Sequence, residues 1–112
     1  MSFNEVYITR TASYFPNDPI SNEEMEEYLG KINGKPSRSK AIVLRNNGIK
    51  RRFYALKKGG APTHTNAELT AKAIKNLFEK NPAEIKSVEL LSCGTSSPDQ
   101  IMPSHSIMVH GH

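Results

Sequence analysis

The chain has 112 residues, 37% of them hydrophobic, and carries 15 Lys and Arg against 11 Asp and Glu, a net charge of +4. That length suits one domain with a core of its own, and apolar runs no longer than Ala41-Ile42-Val43-Leu44 exclude a membrane-spanning helix, which needs roughly 20 such residues. A single cysteine excludes an internal disulfide, and Met1-Ser2-Phe3-Asn4-Glu5 lacks the basic and apolar regions of a secretory signal, so a cytoplasmic location is expected.

Glu5-Val6-Tyr7-Ile8-Thr9 alternates with a period of two and predicts a strand. Ser13 to Pro19, with two prolines and Asn-Asp, predicts a loop. Ser21-Asn22-Glu23-Glu24 is a capping box, in which the Ser21 hydroxyl and the Glu24 carboxylate satisfy amides left free by a first turn. It predicts a short helix from Asn22 to about Leu29, burying Met25, Tyr28 and Leu29 and closed by Gly30. Residues 31–37 read as an exposed connector. A helix from about Arg38 to Asn46 follows, capped by Ser37 and stopped by Asn47-Gly48. Ile49 to Tyr54 is expected to be extended, and Lys57 to Pro62 a loop.

Asn66–Lys80 carries the clearest helical pattern. Ala67, Thr70, Ala71, Ile74, Leu77 and Phe78 form one stripe, Thr65-Asn66-Ala67-Glu68 offers a second capping box, and Asn81-Pro82 ends the run. Val88-Glu89-Leu90-Leu91-Ser92 predicts a buried parallel strand leading to the hydroxyl-rich loop Cys93–Ser104, the kind of edge at which open α/β folds place ligands. A last helix begins near Ser104 and includes Ile107, Met108 and Val109. The order of elements predicts an α/β fold with a right-handed crossover, incomplete because Val88–Ser92 lacks enough partner strands.

Charge is unevenly placed. Ten basic residues and no acid lie between Lys31 and Lys58, downstream of Glu23, Glu24, Glu26 and Glu27. Such a cluster suits phosphates or an acidic partner, or simply forms a solvated surface. Cys93 precedes a loop instead of opening a helix and has no His near it in sequence, which points to a structural thiol. His105, His110 and His112 lack the spacing of a zinc site and read as exposed helix residues, and His64 stands alone in a loop. No G-x-S-x-G, Walker or G-x-G-x-x-G pattern is present. Phe53 and Tyr54 in the basic segment are too few for a nucleic-acid stacking platform.

Several segments together resemble the β-ketoacyl-acyl-carrier-protein synthase III family. Val6-Tyr7-Ile8 leading to Ser13-Tyr14-Phe15-Pro16 is similar to its opening strand and Tyr-Leu-Pro turn, and Ser21-Asn22-Glu23-Glu24-Met25 to its Thr-Asn-x-Asp-Leu helix start. Gly48-Ile49-Lys50-Arg51-Arg52 resembles Thr-Gly-Ile-x-x-Arg, Asn66–Phe78 the family's Ala-rich helix, and Cys93-Gly94-Thr95-Ser96-Ser97-Pro98-Asp99 through Pro103-Ser104 its Ala-Thr-Thr…Pro-Ser loop.

The resemblance implies part of a thiolase fold, within the first βαβαβαββ half of a layered α/β/α/β/α architecture. Residues 1–112 would then form one incomplete, amino-terminal domain. It implies an acyltransferase that takes an acyl group from coenzyme A and condenses it with malonyl-acyl-carrier protein, in fatty-acid initiation or in a specialised polyketide or aryl-lipid pathway. Coenzyme A enters as substrate and no cofactor is needed. A homodimer is implied for the complete enzyme. The family's nucleophilic Cys and its His/Asn pair fall beyond His112, so Cys93 is not the nucleophile and this stretch is expected to be inert alone. Counting back from Gly48 puts Ile42 and Asn46 where the family has a Trp and an Arg at the coenzyme A tunnel, with Arg45 as the displaced cation. Met102 resembles the position that shapes the partner's acyl pocket, and Lys50 and Arg52 would dock the acidic carrier protein. The alternative is a small basic, non-enzymatic module that binds an acidic protein or nucleic acid.

Overall fold

The computed structural model describes residues 4–112, which divide into two compact units: residues 4–14 with Asn66–His112, and Phe15–Thr65. Helices and strands are mixed, an α/β composition in the broad sense. The one sheet among the described residues has two antiparallel strands, β1 (Ile20–Ser21) and β2 (Arg51–Arg52). No described helix is long and apolar enough to cross a membrane.

The unit Phe15–Thr65 is built around that sheet, with Ile20 paired to Arg52 and Ser21 to Arg51. The capping box forms as its spacing predicts. Ser21 N–H donates to Glu24 Oε2 at 3.0 Å, and Glu24 N–H reaches back to Ser21 Oγ at 3.4 Å. These bonds from Ser21, backbone first and hydroxyl second, hold the Glu24 carboxyl below its ordinary range. The bonded turn, residues 22–24, precedes α1 (Met25–Leu29), which begins three residues later than expected and whose last turn is closed by Gly30 N–H on Glu26 O at 3.1 Å. Met25 and Tyr28 are half-buried, but Leu29, in the last position of the helix, is exposed, contrary to expectation.

The connector 31–37 contains a tight two-residue turn. Asn33 and Gly34 both have positive φ, 52° and 72°, and Ile32 pairs with Lys35 across them, the Asn-Gly chemistry of a type I′ hairpin. Next comes α2 (Lys40–Asn47), which begins two residues later than expected. Ser37 does not cap it by its side chain; its N–H donates to Glu26 Oε1 at 2.9 Å. The helix stops where the sequence says it should, with Gly48 left-handed at φ 67° and its N–H on Leu44 O at 3.2 Å.

In the other unit, α3 (Asn66–Leu77) and α4 (His105–His110) pack through Ala67, Ala71 and Val109, with Ile74, Leu91, Cys93 and Met108 around them. A 3₁₀ segment, Pro82–Ser87, follows α3. The expected α-helix ends three residues early, where the chain tightens into i→i−3 bonds, Phe78 N–H to Lys75 O at 3.1 Å and Asn81 N–H to Phe78 O at 3.0 Å; Asn81, before Pro82, sits at φ −147°, ψ 79°. Arg10 pairs with Glu84 and lies over the Phe78 ring at 5.8 Å, while Asn76 Nδ2 donates to Ser13 O at 3.0 Å, which ties residues 10–13 to α3.

Two expected strands do not form. Residues 5–9 and 88–92 join no ladder among the described residues; Val6 and Ile8 are 92% and 89% exposed and Leu90 is 81% exposed. Their apolar patterns suit burial between neighbours, and no strand of the described chain lies alongside to supply the hydrogen bonds. The predicted crossover is therefore absent among the described residues.

Candidate functional site

The loop Cys93–Ser104, singled out by its small hydroxyl residues, is fastened to the start of α3. Asp99 Oδ1 and Oδ2 accept the N–H groups of Asn66 and Ala67 at 2.7 and 2.8 Å, and Asn66 Nδ2 donates to Ser97 O. Four amides at a helix start lack intrahelical partners, and a carboxylate suits the positive end of the helix dipole. The two backbone bonds, from Ala67 first and Asn66 second, keep the Asp99 carboxyl below its usual value. Within the loop, Ser97 N–H donates to Thr95 Oγ1 at 3.1 Å, so this hydroxyl ties the turn. Met102 stands exposed beyond it.

His105 corrects the sequence reading. It is not an exposed helix residue: at 8% exposure it is buried, its Nε2 lying 3.2 Å from Thr70 Oγ1. Thr70 Oγ1 donates to Asn66 O at 3.0 Å, so it accepts the hydrogen of His105 Nε2. That Nδ1 is buried and has no hydrogen-bond partner among the described residues. The cause is packing: His105 opens α4, and the helix pairing that buries Val109 turns the imidazole toward α3. Cys93 is half-buried against the same apolar cluster, in keeping with a structural thiol. His64 Nδ1 lies 2.9 Å from Thr63 Oγ1.

The candidate substrate residues Ile42, Arg45 and Asn46 lie on α2 in the unit Phe15–Thr65. Their i, i+3, i+4 spacing gives them one helix face, and all three are exposed. Met102 belongs to the other unit. The two docking candidates differ from each other. Lys50 is exposed, whereas Arg52 is half-buried on β2, with Nη1 2.6 Å from Asn22 Oδ1 and 3.3 Å from Met25 Sδ. Arg52 holds β2 to the turn before α1, a role that periodicity and charge counting do not reveal.

No known protein-family model matches the chain.

Each unit carries an apolar-lined concavity. In the first, about 480 Å³ is lined by Ala71, Ile74, Ile85, Val88, Leu91 and Val109. In the second, about 430 Å³ lies between α1, the Asn33-Gly34 hairpin and α2. Among the described residues no group of three or more His, Cys, Asp or Glu is placed to hold a metal ion. What these surfaces offer chemically is recognition: apolar grooves, hydroxyls and cations.

Proposed function

We propose that the chain is the amino-terminal part of a 3-oxoacyl-[acyl-carrier-protein] synthase III-type acyltransferase with a partial thiolase-like fold, acting as a cytoplasmic homodimer in its complete form. Support comes from the ordered run of motifs from Val6 to Ser104. The observation that carries most weight is the Asp99 cap on α3, because it joins two of the segments on which the resemblance rests, Asn66–Phe78 and Cys93–Ser104. In the proposed reaction an acyl group passes from coenzyme A to a cysteine. Malonyl-acyl-carrier protein then loses carbon dioxide, and its carbanion attacks the acyl thioester to release a 3-oxoacyl product. This part of the enzyme supplies binding groups: Ile42, Arg45 and Asn46 toward coenzyme A, Met102 toward the acyl chain, and Lys50 with Arg52 toward the acidic carrier.

The test is acyl transfer from labelled acyl-coenzyme A to the gene product read beyond His112. A hydroxylamine-labile thioester on a cysteine downstream of His112, and 3-oxoacyl product on adding malonyl-acyl-carrier protein, are expected. Labelling of Cys93, or an extended product that takes no label, refutes the proposal.

A non-enzymatic basic module is the second possibility, favoured by the charge distribution. Phe15–Thr65 contains ten basic and five acidic residues, so it carries a net +5, while the rest of the chain sums to −1. A tight complex of the 112-residue chain with an acidic protein or nucleic acid, coupled with no acyl chemistry in any longer product, would select it.

A further inference from the structure

The groove in Phe15–Thr65 is apolar at its floor and open at its rim. Met25 and Leu44 are half-buried in it, whereas Leu29, Ile32 and Val43 are 55%, 71% and 54% exposed. Three large apolar side chains held in water around one concavity are unusual in a surface with no partner. They are fixed by well-defined local structure: α1 behind the Ser21/Glu24 turn, the Asn33-Gly34 hairpin, and α2 with its left-handed stop.

Charge decides what fits. The one acid lining the groove, Glu26, is already engaged, its Oε1 by Ser37 N–H and its Oε2 by Lys40 Nζ at 3.7 Å. Glu27 is paired with Lys58. Lys31 and Arg38 adjoin lining residues in the chain, Lys35 pairs across the hairpin with the lining residue Ile32, and all three are exposed and make no ion pair among the described residues. A basic nucleic-acid surface accounts for the cations but leaves the apolar floor unused. A second copy of the chain would bring its own surplus of positive charge against this one. An acidic amphipathic helix satisfies both features.

We infer that this groove binds a helix of an acidic partner protein, its apolar residues seated against Leu29, Ile32 and Val43 and its Asp or Glu side chains facing Lys31, Lys35 and Arg38. The volume of about 430 Å³ takes a few side chains, as a helix presents them at i, i+3 or i+4, and i+7. Steering by the cations speeds encounter, and the apolar contacts set the lifetime of the complex. None of the candidate tunnel residues Ile42, Arg45 and Asn46 lines this groove, and its use does not depend on acyltransfer.

The test is fluorescence anisotropy of the 112-residue chain with a labelled helical peptide carrying Leu at i, i+3 and i+7 between Asp and Glu. A scrambled peptide of the same composition and a DNA duplex serve as controls. Val43→Glu and, separately, Ile32→Asp are expected to weaken binding by about tenfold or more. Lys35→Glu with Arg38→Glu is expected to weaken it and to flatten its salt dependence. Both apolar positions face water, so circular dichroism of these variants should match the parent chain. Equal binding of the scrambled peptide, or peptide affinity indifferent to Val43→Glu and Ile32→Asp, overturns the inference. So does DNA binding without peptide binding, or a dimer that Val43→Glu abolishes and the peptide does not displace.

Discussion

The carboxylate of Asp99 caps the helix that begins at Asn66, 33 residues earlier in the chain, through one oxygen to Asn66 N–H and the other to Ala67 N–H. A tertiary contact thus satisfies two backbone amides of a helix start. Asp99→Ala should lower stability by about 1 kcal/mol, the typical worth of a cap, less what solvent screening removes at this exposed position. The sign with pH follows from the lowered carboxyl. The contribution is complete above the unfolded value of about 3.9 and fades as pH falls through the lower folded value. Urea midpoints of the parent and Asp99→Ala should therefore differ at neutral pH and converge in strong acid. A constant gap across that range would show that the carboxylate charge is not what caps the helix.

Thr70 and His105 form a second link between the same two helices. Thr70→Val leaves the buried Nε2–H of His105 without its acceptor and should cost about 1–3 kcal/mol. His105→Phe removes both the shared bond and the unpaired Nδ1 while keeping a ring in place, so it should cost less. A double-mutant cycle reads the bond itself, and coupling near zero would mean that hydroxyl and imidazole do not share it.

Local chemistry was the legible part of this sequence. The Ser21/Glu24 box, the Gly48 stop, the α3 stripe and the Ser104 helix start all involve residues within four positions of one another, where spacing alone fixes geometry. The cap from Asp99, the pairing of Ile20 with Arg52 and the burial of His105 depend on residues brought together from about 30 or more positions away, and no period marks them. The alternation at 5–9 and 88–92 describes what those segments would need from neighbours, and the described chain does not provide it. Arg52 shows the same limit at the candidate site. Its charge belongs to the basic run, but its guanidinium is committed to Asn22.

That commitment separates two substitutions that look alike in sequence. Arg52→Glu would set a carboxylate beside Asn22 Oδ1 and Met25 Sδ and should destabilise Phe15–Thr65 by about 1.5–3 kcal/mol, the range for breaking a hydrogen bond to a charged group. Lys50→Glu alters an exposed side chain and should leave the urea midpoint within about 0.5 kcal/mol of the parent. Any loss of affinity for an acidic carrier protein on Lys50→Glu then reports docking alone. It should grow as ionic strength falls, since Debye screening weakens over the same range. Equal loss of stability in both variants would contradict the different roles assigned to these two side chains.

Residues 88–92 leave their backbone without a ladder and present Leu90 and half-exposed Val88 to water. An unpaired extended segment with apolar side chains invites a strand from another molecule, and residues 5–9 have the same character. Sedimentation velocity over a concentration series should therefore show reversible self-association of the 112-residue chain. Leu90→Lys should suppress it, because a charged side chain on an exposed edge opposes pairing. Val43→Glu, in the other unit, should leave it unchanged. A chain that sediments as a monomer at every concentration would show that these segments are protected in solution in a way the exposure of Val6, Ile8 and Leu90 does not reveal.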